Sequence, residues 1–196
     1  MDEQICTYRI DRNDVITHIS PNWSAFARTN RWTTEPGANN IVGNVLWDFF
    51  QGDEIRHLFE QLFRKARSGT SIRPISFRCD SPQERRFLPL LIFPLADGPL
   101  EVASKIIRSE FRDAVSLLDN DAPKSGDLLK ICSMCKKIAV DLQTWVEIEE
   151  GLQRLRLFEV EKMPRLTHGV CPDCFRQAMA ELDRQDQTGL PGTTRA

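Results

Sequence analysis

The sequence lacks the short motifs on which most enzyme classes depend. It contains no glycine-rich phosphate-binding loop, no His-Glu-x-x-His pair, no Ser/His/Asp arrangement and no Gly-Gly-Asp-Glu-Phe motif of the diguanylate cyclases. The length also leaves no room for a histidine-kinase catalytic region beside the segments described below. These absences predict a protein that is not an enzyme.

Long apolar runs and blocks of like charge are missing as well. No stretch approaches twenty apolar residues, so the sequence predicts no membrane-spanning helix. Residues 1–4 show no basic region followed by an apolar run, and we therefore expect a cytoplasmic protein without a secretory leader. The formal net charge is −2, with acids and bases interleaved, which predicts no surface for nucleic acid or for an anionic membrane.

The most informative residues present are two closely spaced pairs of cysteines. Cys132 and Cys135 form one C-x-x-C turn, and Cys171 and Cys174 form a second. Each turn places two thiols on the same side of a tight loop, and two such turns supply the four sulfurs that tetrahedral Zn²⁺ prefers. In a reducing cytoplasm, metal is favoured over disulfides. Because four thiolates fill the coordination sphere, the sequence predicts a structural zinc site.

Two alternatives use the same four cysteines. A [4Fe–4S] cluster also needs four thiolates, and a redox dithiol would be favoured by the positive charge of Lys136 and Lys137 beside Cys135. The 35 residues between Cys135 and Cys171 exceed the spacing of about 15–20 in a common zinc ribbon, but a longer loop costs little to close. His168 is a candidate hydrogen-bond donor to a coordinating sulfur, or a substitute ligand, although four cysteines already suffice.

The chain divides into four segments. Residues 5–112 show strand and helix signals, residues 113–127 form a connecting segment and linker, residues 128–184 carry the cysteine pairs, and residues 185–196 lack periodicity and are expected to be a disordered tail. In the first segment the order is two strands, helices and three strands. That order predicts an α+β fold with one antiparallel sheet and helices on a single face.

The segment with the cysteine pairs contains two amphipathic stretches. Apolar side chains recur at helical spacing over residues 145–155 and again over residues 175–182. The sequence therefore predicts two helices packed over the metal, in a small helical zinc-binding module.

Four arginines lie around the third and fourth predicted strands: Arg73, Arg78, Arg85 and Arg86. The simplest interpretation is a solvated sheet edge, where charged side chains hinder pairing with other chains. A site for a small anionic ligand is the alternative.

Several parts of residues 5–112 resemble the PAS family of sensory domains. Residues 8–11 (Tyr-Arg-Ile-Asp) and 16–23 (Ile-Thr-His-Ile-Ser-Pro-Asn-Trp) are similar to the family's opening strand and its N-x-x-F/W step into a helix. Residues 42–50 (Val-Gly-Asn-Val-Leu-Trp-Asp-Phe-Phe) resemble its G-x-x-x-W-D-F step before the long helix. The resemblance implies a five-stranded antiparallel sheet that cups helices, around a space where many relatives hold a small ligand. It identifies neither the ligand nor its binding residues.

The cysteine-rich end is similar to an ending found on bacterial signalling proteins. Residues 131–138 (Ile-Cys-Ser-Met-Cys-Lys-Lys-Ile), Trp145 and residues 168–174 (His-Gly-Val-Cys-Pro-Asp-Cys) match its I-C-S-x-C-K-K-I … W … S-H-G-I-C-P-x-C pattern. Thr167 and Val170 stand where that pattern has Ser and Ile. The resemblance implies a signalling context.

These features together predict a non-catalytic cytoplasmic signalling or sensor protein. In this hypothesis a PAS-like domain binds a ligand or a partner and is coupled to a structural zinc module. A signalling protein is the expected partner, and a homodimer is a candidate assembly. Two other functions stay open at this point: a zinc-ribbon nucleic-acid or transcription adaptor, and a thiol redox sensor.

Overall fold

The computed structural model describes residues 5–29 and 41–188 of the chain. Ten strands lie in this part: β1 (Cys6–Ile10), β2 (Ile16–Ile19), β3 (Ile72–Arg78), β4 (Glu84–Pro94), β5 (Leu100–Ser104), β6 (Arg108–Phe111), β7 (Lys124–Cys132), β8 (Ile138–Ala139), β9 (Trp145–Val146) and β10 (Met163–Gly169). The α-helices of the same part are α1 (Pro21–Thr29), α2 (Asp53–Arg67), α3 (Ile148–Arg154) and α4 (Pro172–Thr188). The predicted mixed α+β class is confirmed.

The first six strands form one antiparallel sheet. Five of them follow the order β2-β1-β5-β4-β3. The sixth, β6, pairs with the first part of β4, whereas β5 pairs with its last part. Alternate residues of β4, among them Leu88, Leu90 and Ile92, are buried on one face of the sheet. The antiparallel sheet was predicted from the sequence, whereas β6 was not.

Helix α2 packs on that buried face because its apolar residues share one stripe. Ile55, Leu58, Leu62, Phe63 and Ala66 are all at most 5% exposed, and their spacing matches the period of a helix. Acidic residues lie in its first turn and basic residues in its last turn, where each favours the helix dipole. The long helix predicted from the sequence is therefore present, and its stripe supplies much of the core.

The remaining strands form a second sheet, in the order β10-β7-β8-β9. Its central pair, β7 and β10, is parallel, while β8 and β9 are antiparallel additions of two residues each. The prediction of a purely helical C-terminal module was wrong. The first predicted helix is shortened to α3 because Trp145–Val146 extend as β9, and β7 begins at Lys124, inside the predicted linker.

One hydrophobic cluster crosses the predicted boundary between the two sheets. Buried Leu58 and Leu62 of α2 belong to the same cluster as Cys132, Cys171 and Leu182 from the C-terminal segment. Contacts of α4 with both α2 and β3, and of α2 with β10, make this connection. The bounds of the four predicted segments stay a prediction, but the core does not stop at them.

The end of α4 and the apolarity of the helices bear on two further predictions. Helix α4 continues to Thr188, so the first four residues of the predicted disordered tail are helical, and residues 189–196 lie outside the described residues. Within residues 5–29 and 41–188, no helix combines the length and the apolar character needed to cross a membrane.

Candidate metal centre

The parallel pairing of β7 and β10 brings the two cysteine pairs together. Cys132 is the last residue of β7, and its register partner Gly169 is the last residue of β10. Because parallel strands end at the same edge of a sheet, the turns that follow them lie side by side. The backbone N–H of Ser133 donates to the carbonyl of Gly169 at 2.8 Å, which ties one turn to the other.

The first C-x-x-C turn is closed by backbone hydrogen bonds. The N–H of Lys136 donates to the Cys132 carbonyl at 3.0 Å, and the N–H of Cys132 donates to the Lys137 carbonyl at 2.8 Å. Lys136 has a φ of 62°, in the left-handed region. This conformation reverses the chain directly after Cys135 and leads it back into β8.

The second C-x-x-C turn is the beginning of α4. Pro172 is the first helical residue, a position that favours proline, and the N–H of Phe175 donates to the Cys171 carbonyl at 3.0 Å. Two further N–H groups point at sulfur: Cys174 N–H at Cys171 Sγ (3.4 Å) and Cys171 N–H at Cys132 Sγ (3.3 Å). These donors and the helix dipole stabilise negative charge on the sulfurs.

The four sulfurs have the separation that one metal ion requires. All four Sγ atoms lie within 4.8 Å of one another, and Cys135 Sγ is 3.7 Å from Cys171 Sγ. Zinc–sulfur bonds of about 2.3 Å in a tetrahedron place the sulfurs about 3.8 Å apart, whereas a disulfide bond is about 2.05 Å long. All cysteines of the chain are free. The four predicted ligands are thus assembled as a four-cysteine cluster that fits a tetrahedral metal.

Hydrogen bonds among the thiols divide the cluster into donors and acceptors. Those from Cys135, Cys171 and Cys174 lower the pKa of Cys132 far below its ordinary value. The hydrogen bond with Cys132 raises the pKa of Cys171, but those from Cys135 and Cys174 outweigh it and bring it to about 7. The pKa values of Cys135 and Cys174 are raised, because each donates its proton to Cys132. The contacts among the thiols thus favour negative charge on Cys132, and a bound cation would displace the protons of the other thiols.

One side of the four-cysteine cluster is buried against the hydrophobic cluster that contains α2. Cys132 and Cys171 are 0% and 1% exposed, whereas Cys135 and Cys174 are half-buried. Met134, between the first two cysteines, is buried, and its carbonyl accepts the backbone N–H of Arg78 at 2.7 Å. The four-cysteine cluster therefore lies against β3, the edge strand of the first sheet.

His168 lies on β10, close to the cluster along the chain. Its ring Nδ1 is 3.1 Å from Gln51 Oε1, in the loop before α2. Burial, and then the charge of Lys136, lowers the pKa of the imidazole, which favours its neutral form. The proposed hydrogen bond from this ring to a sulfur stays a prediction. The contact with Gln51 instead shows His168 at the junction of the two sheets.

The arginines expected on a solvated edge are in part buried. Arg78 and Arg86 are 7% and 8% exposed, so the prediction of a solvated edge was wrong for both. Arg78 donates to Asp80 at 2.5 Å and to Glu147 at 2.7 Å, and Arg86 donates to Glu84 at 2.8 Å. Acidic partners neutralise both guanidinium groups, as buried charges require.

Further ion pairs connect the first sheet to α3 and, with the pairs of Arg78 and Arg86, form an ionic network. Arg112 contacts Asp80 at 3.4 Å and Glu149 at 3.1 Å, and Arg85 contacts Glu149 at 2.8 Å. Glu147 and Glu149, at the start of α3, therefore bind arginines of the first sheet. Sequence reasoning missed these pairs, because nothing local to the two acids indicates partners so distant along the chain.

No family model matches the chain, and no curated protein matches it. Among solved structures, a domain of an HTR-like protein from Haloarcula marismortui ATCC 43049 is similar, with 17% identity over 54% of this chain and 99% of that chain and a TM-score of 0.36. The PAS domain of nitrogen regulation protein NR(II) from Vibrio parahaemolyticus is similar at 18% identity, over 54% and 92% of the two chains, with a TM-score of 0.35.

Proposed function

We propose that the chain is a non-catalytic cytoplasmic signalling or sensor protein whose C-terminal unit is held against a PAS-like domain by structural Zn²⁺. The observation that carries this proposal is the position of the four-cysteine cluster, which packs in one hydrophobic cluster with the first sheet, α2 and α4. Four thiolates fill the coordination of Zn²⁺ and leave no position for a water or a substrate. The ion therefore acts as a cross-link.

The cross-link joins two elements that are distant along the chain. Cys132 and Cys135 follow β7, and Cys171 and Cys174 flank the start of α4, so one ion fixes a strand end to a helix beginning. Metal affinity of such a site becomes folding free energy, because the unfolded chain does not hold the four sulfurs together.

The expected signal travels through the contacts of the first sheet with the C-terminal unit. A ligand or partner that binds between the first sheet and its helices would favour one packing of α2, which contacts both β10 and α4. The Lys130–Glu54 ion pair at 2.5 Å and the Arg78–Glu147 pair would respond to that packing. A downstream signalling protein would then recognise the position of the C-terminal unit, and a homodimer is the assembly to test first.

Metal analysis of the purified chain tests the proposal. One Zn²⁺ per chain supports it, iron with a visible charge-transfer absorption indicates the iron–sulfur alternative, and a metal-free chain that is fully folded contradicts it. Titration of candidate small ligands against tryptophan fluorescence tests the sensing part.

The nucleic-acid adaptor is the weaker alternative. Residues 128–184 contain nine Lys or Arg and nine Asp or Glu, so their formal charge is zero. Binding to phosphates depends on an excess of positive charge and falls steeply with salt. Salt-dependent binding of duplex DNA by the zinc-loaded chain would favour the adaptor over the sensor.

A further inference from the structure

A cleft lies beside the four-cysteine cluster, between β3 and α4. Its volume is about 220 Å³, and Ser76, Met134, Cys174 and Gln177 are among the residues that line it. Of the four clustered cysteines, Cys174 alone lines this cleft. The cleft is smaller than the pockets of drug-sized ligands and suits a molecule of a few heavy atoms.

The wall opposite Cys174 is the outer edge of β3. The backbone N–H of Arg78 points away from β4, since it donates to the Met134 carbonyl at 2.7 Å. Backbone groups alternate in direction along a strand, so the N–H and carbonyl of Ser76, two residues earlier, point to the same side. A molecule in the cleft would thus meet the backbone of Ser76 on one wall and Cys174, Gln177 and Glu181 of α4 on the other.

Cys174 combines access with thiolate character in the metal-loaded cluster. It lies in the first turn of α4 and lines the cleft, and a cysteine that coordinates Zn²⁺ does so as a thiolate. Cys132 and Cys171 are buried, and Cys135, although half-buried like Cys174, does not line the cleft. The other three Sγ atoms of the cluster lie within 4.8 Å of Cys174 Sγ, so a second sulfur is close enough to react with it after the first exchange.

We propose that Cys174 is the site at which a small uncharged organic disulfide, bound in this cleft, reacts with the cluster by thiol–disulfide exchange. This inference rests on the proposed metal site and adds its regulation: oxidation by a disulfide releases the metal. The cleft selects this class because a small disulfide occupies more space than water or peroxide and presents a sulfur to Cys174 while its polar ends meet Ser76.

The reaction balances in two steps. The Cys174 thiolate attacks one sulfur of the disulfide RS–SR, a Cys174–S–SR bond forms, and the S–S bond of the reagent breaks to release RS⁻. The Cys171 thiolate of the same turn then attacks Cys174 Sγ, forms an intramolecular disulfide and releases the second RS⁻. The two cysteines lose two electrons, the reagent gains two, and the metal loses two of its four ligands.

The test uses the zinc-loaded full chain and hydroxyethyl disulfide. Zinc content is measured first, zinc release is followed with a chromogenic indicator, and early mixed disulfides are located by peptide mass spectrometry. Because rates of exchange follow access, we expect the first adduct on Cys174, ahead of the Cys135 adduct by about tenfold or more. Equal rates at Cys174 and Cys135, or a faster rate at Cys135, would overturn the inference.

A matched pair of variants tests the cleft itself. Ser76→Phe narrows the cleft and replaces no cysteine. Thr17→Phe is the control, because it places the same side chain on β2, at the opposite edge of the first sheet. We expect Ser76→Phe to slow both the Cys174 adduct and zinc release about fivefold or more, with Thr17→Phe unchanged. Equal rates in the two variants overturn the role of the cleft. A chain that takes up no metal refutes the proposed function, whereas a loaded chain that reacts elsewhere refutes only this inference.

Discussion

Replacement of Arg78 by Met tests whether the ionic network holds the two sheets together. The substitution keeps the length and the apolar stem of the side chain but removes a guanidinium that contacts Asp80 at 2.5 Å and Glu147 at 2.7 Å. Asp80 is 1% exposed and keeps Arg112 at 3.4 Å as its remaining partner. Removal of one member of a buried pair costs about 3–5 kcal/mol, and we expect about 3 kcal/mol, the lower end, because Arg112 remains.

Urea unfolding of the zinc-loaded chain measures this loss. With a slope of about 2 kcal/mol per molar urea, the expected loss lowers the midpoint by about 1.5 M. Arg9→Met is the matched control, since Arg9 pairs with Glu101 at 2.9 Å but is 49% exposed, and an exposed pair contributes at most about 1 kcal/mol. Equal losses in Arg78→Met and Arg9→Met would refute the reasoning, because burial would then contribute nothing.

Other contacts lead to three more predictions. Removal of zinc by a chelator should lower the urea midpoint of unfolding, followed by tryptophan fluorescence, because the four cysteines pack in the same hydrophobic cluster as the first sheet and α2; an unchanged midpoint would contradict it. Gly52→Ala should destabilise the chain more than Gly43→Ala. Both glycines have a positive φ, but only at Gly52 would the new Cβ lie 2.5 Å from the His168 carbonyl oxygen. The urea midpoints of the two variants measure the difference. A hydrogen bond from Arg86 lowers the pKa of Glu84. The native chain should therefore be more stable than Glu84→Gln near neutral pH, and this difference in unfolding free energy should vanish as the pH falls through the lowered pKa of Glu84. A difference that stays constant between about pH 7 and about pH 3 would contradict this prediction.

The parts of the fold that local patterns determine were predictable. The helical period of α2 and the C-x-x-C spacing both depend on neighbouring residues, and both were found in the sequence. The second sheet was missed because β8 and β9 have two residues each, too few for any periodicity. Its parallel centre pairs strands that are far apart in sequence, so no local signal marks it.

The burial of charge could not be predicted for the same reason. Arg78 has the same residue type as an exposed edge arginine, and one of the two acids that neutralise it, Glu147, lies 69 positions away along the chain. The cysteines were identified as ligands from their spacing, but their position in the shared core depends on the contacts of α4 with β3. Sequence spacing thus indicated which residues could bind metal, and tertiary contacts decided what that metal would join.

The hydrogen bond from the Arg78 backbone to Met134 has a consequence for aggregation. It occupies part of the outer edge of β3, and α4 lies against the same strand. A bare edge strand is a template for pairing with other chains. Loss of the metal would free the Met134 turn and the start of α4 together, which would uncover this edge and allow chains to associate strand to strand. A bound ion would then protect the protein against self-assembly as well as against unfolding, and we expect its loss to appear as light scattering that grows with protein concentration.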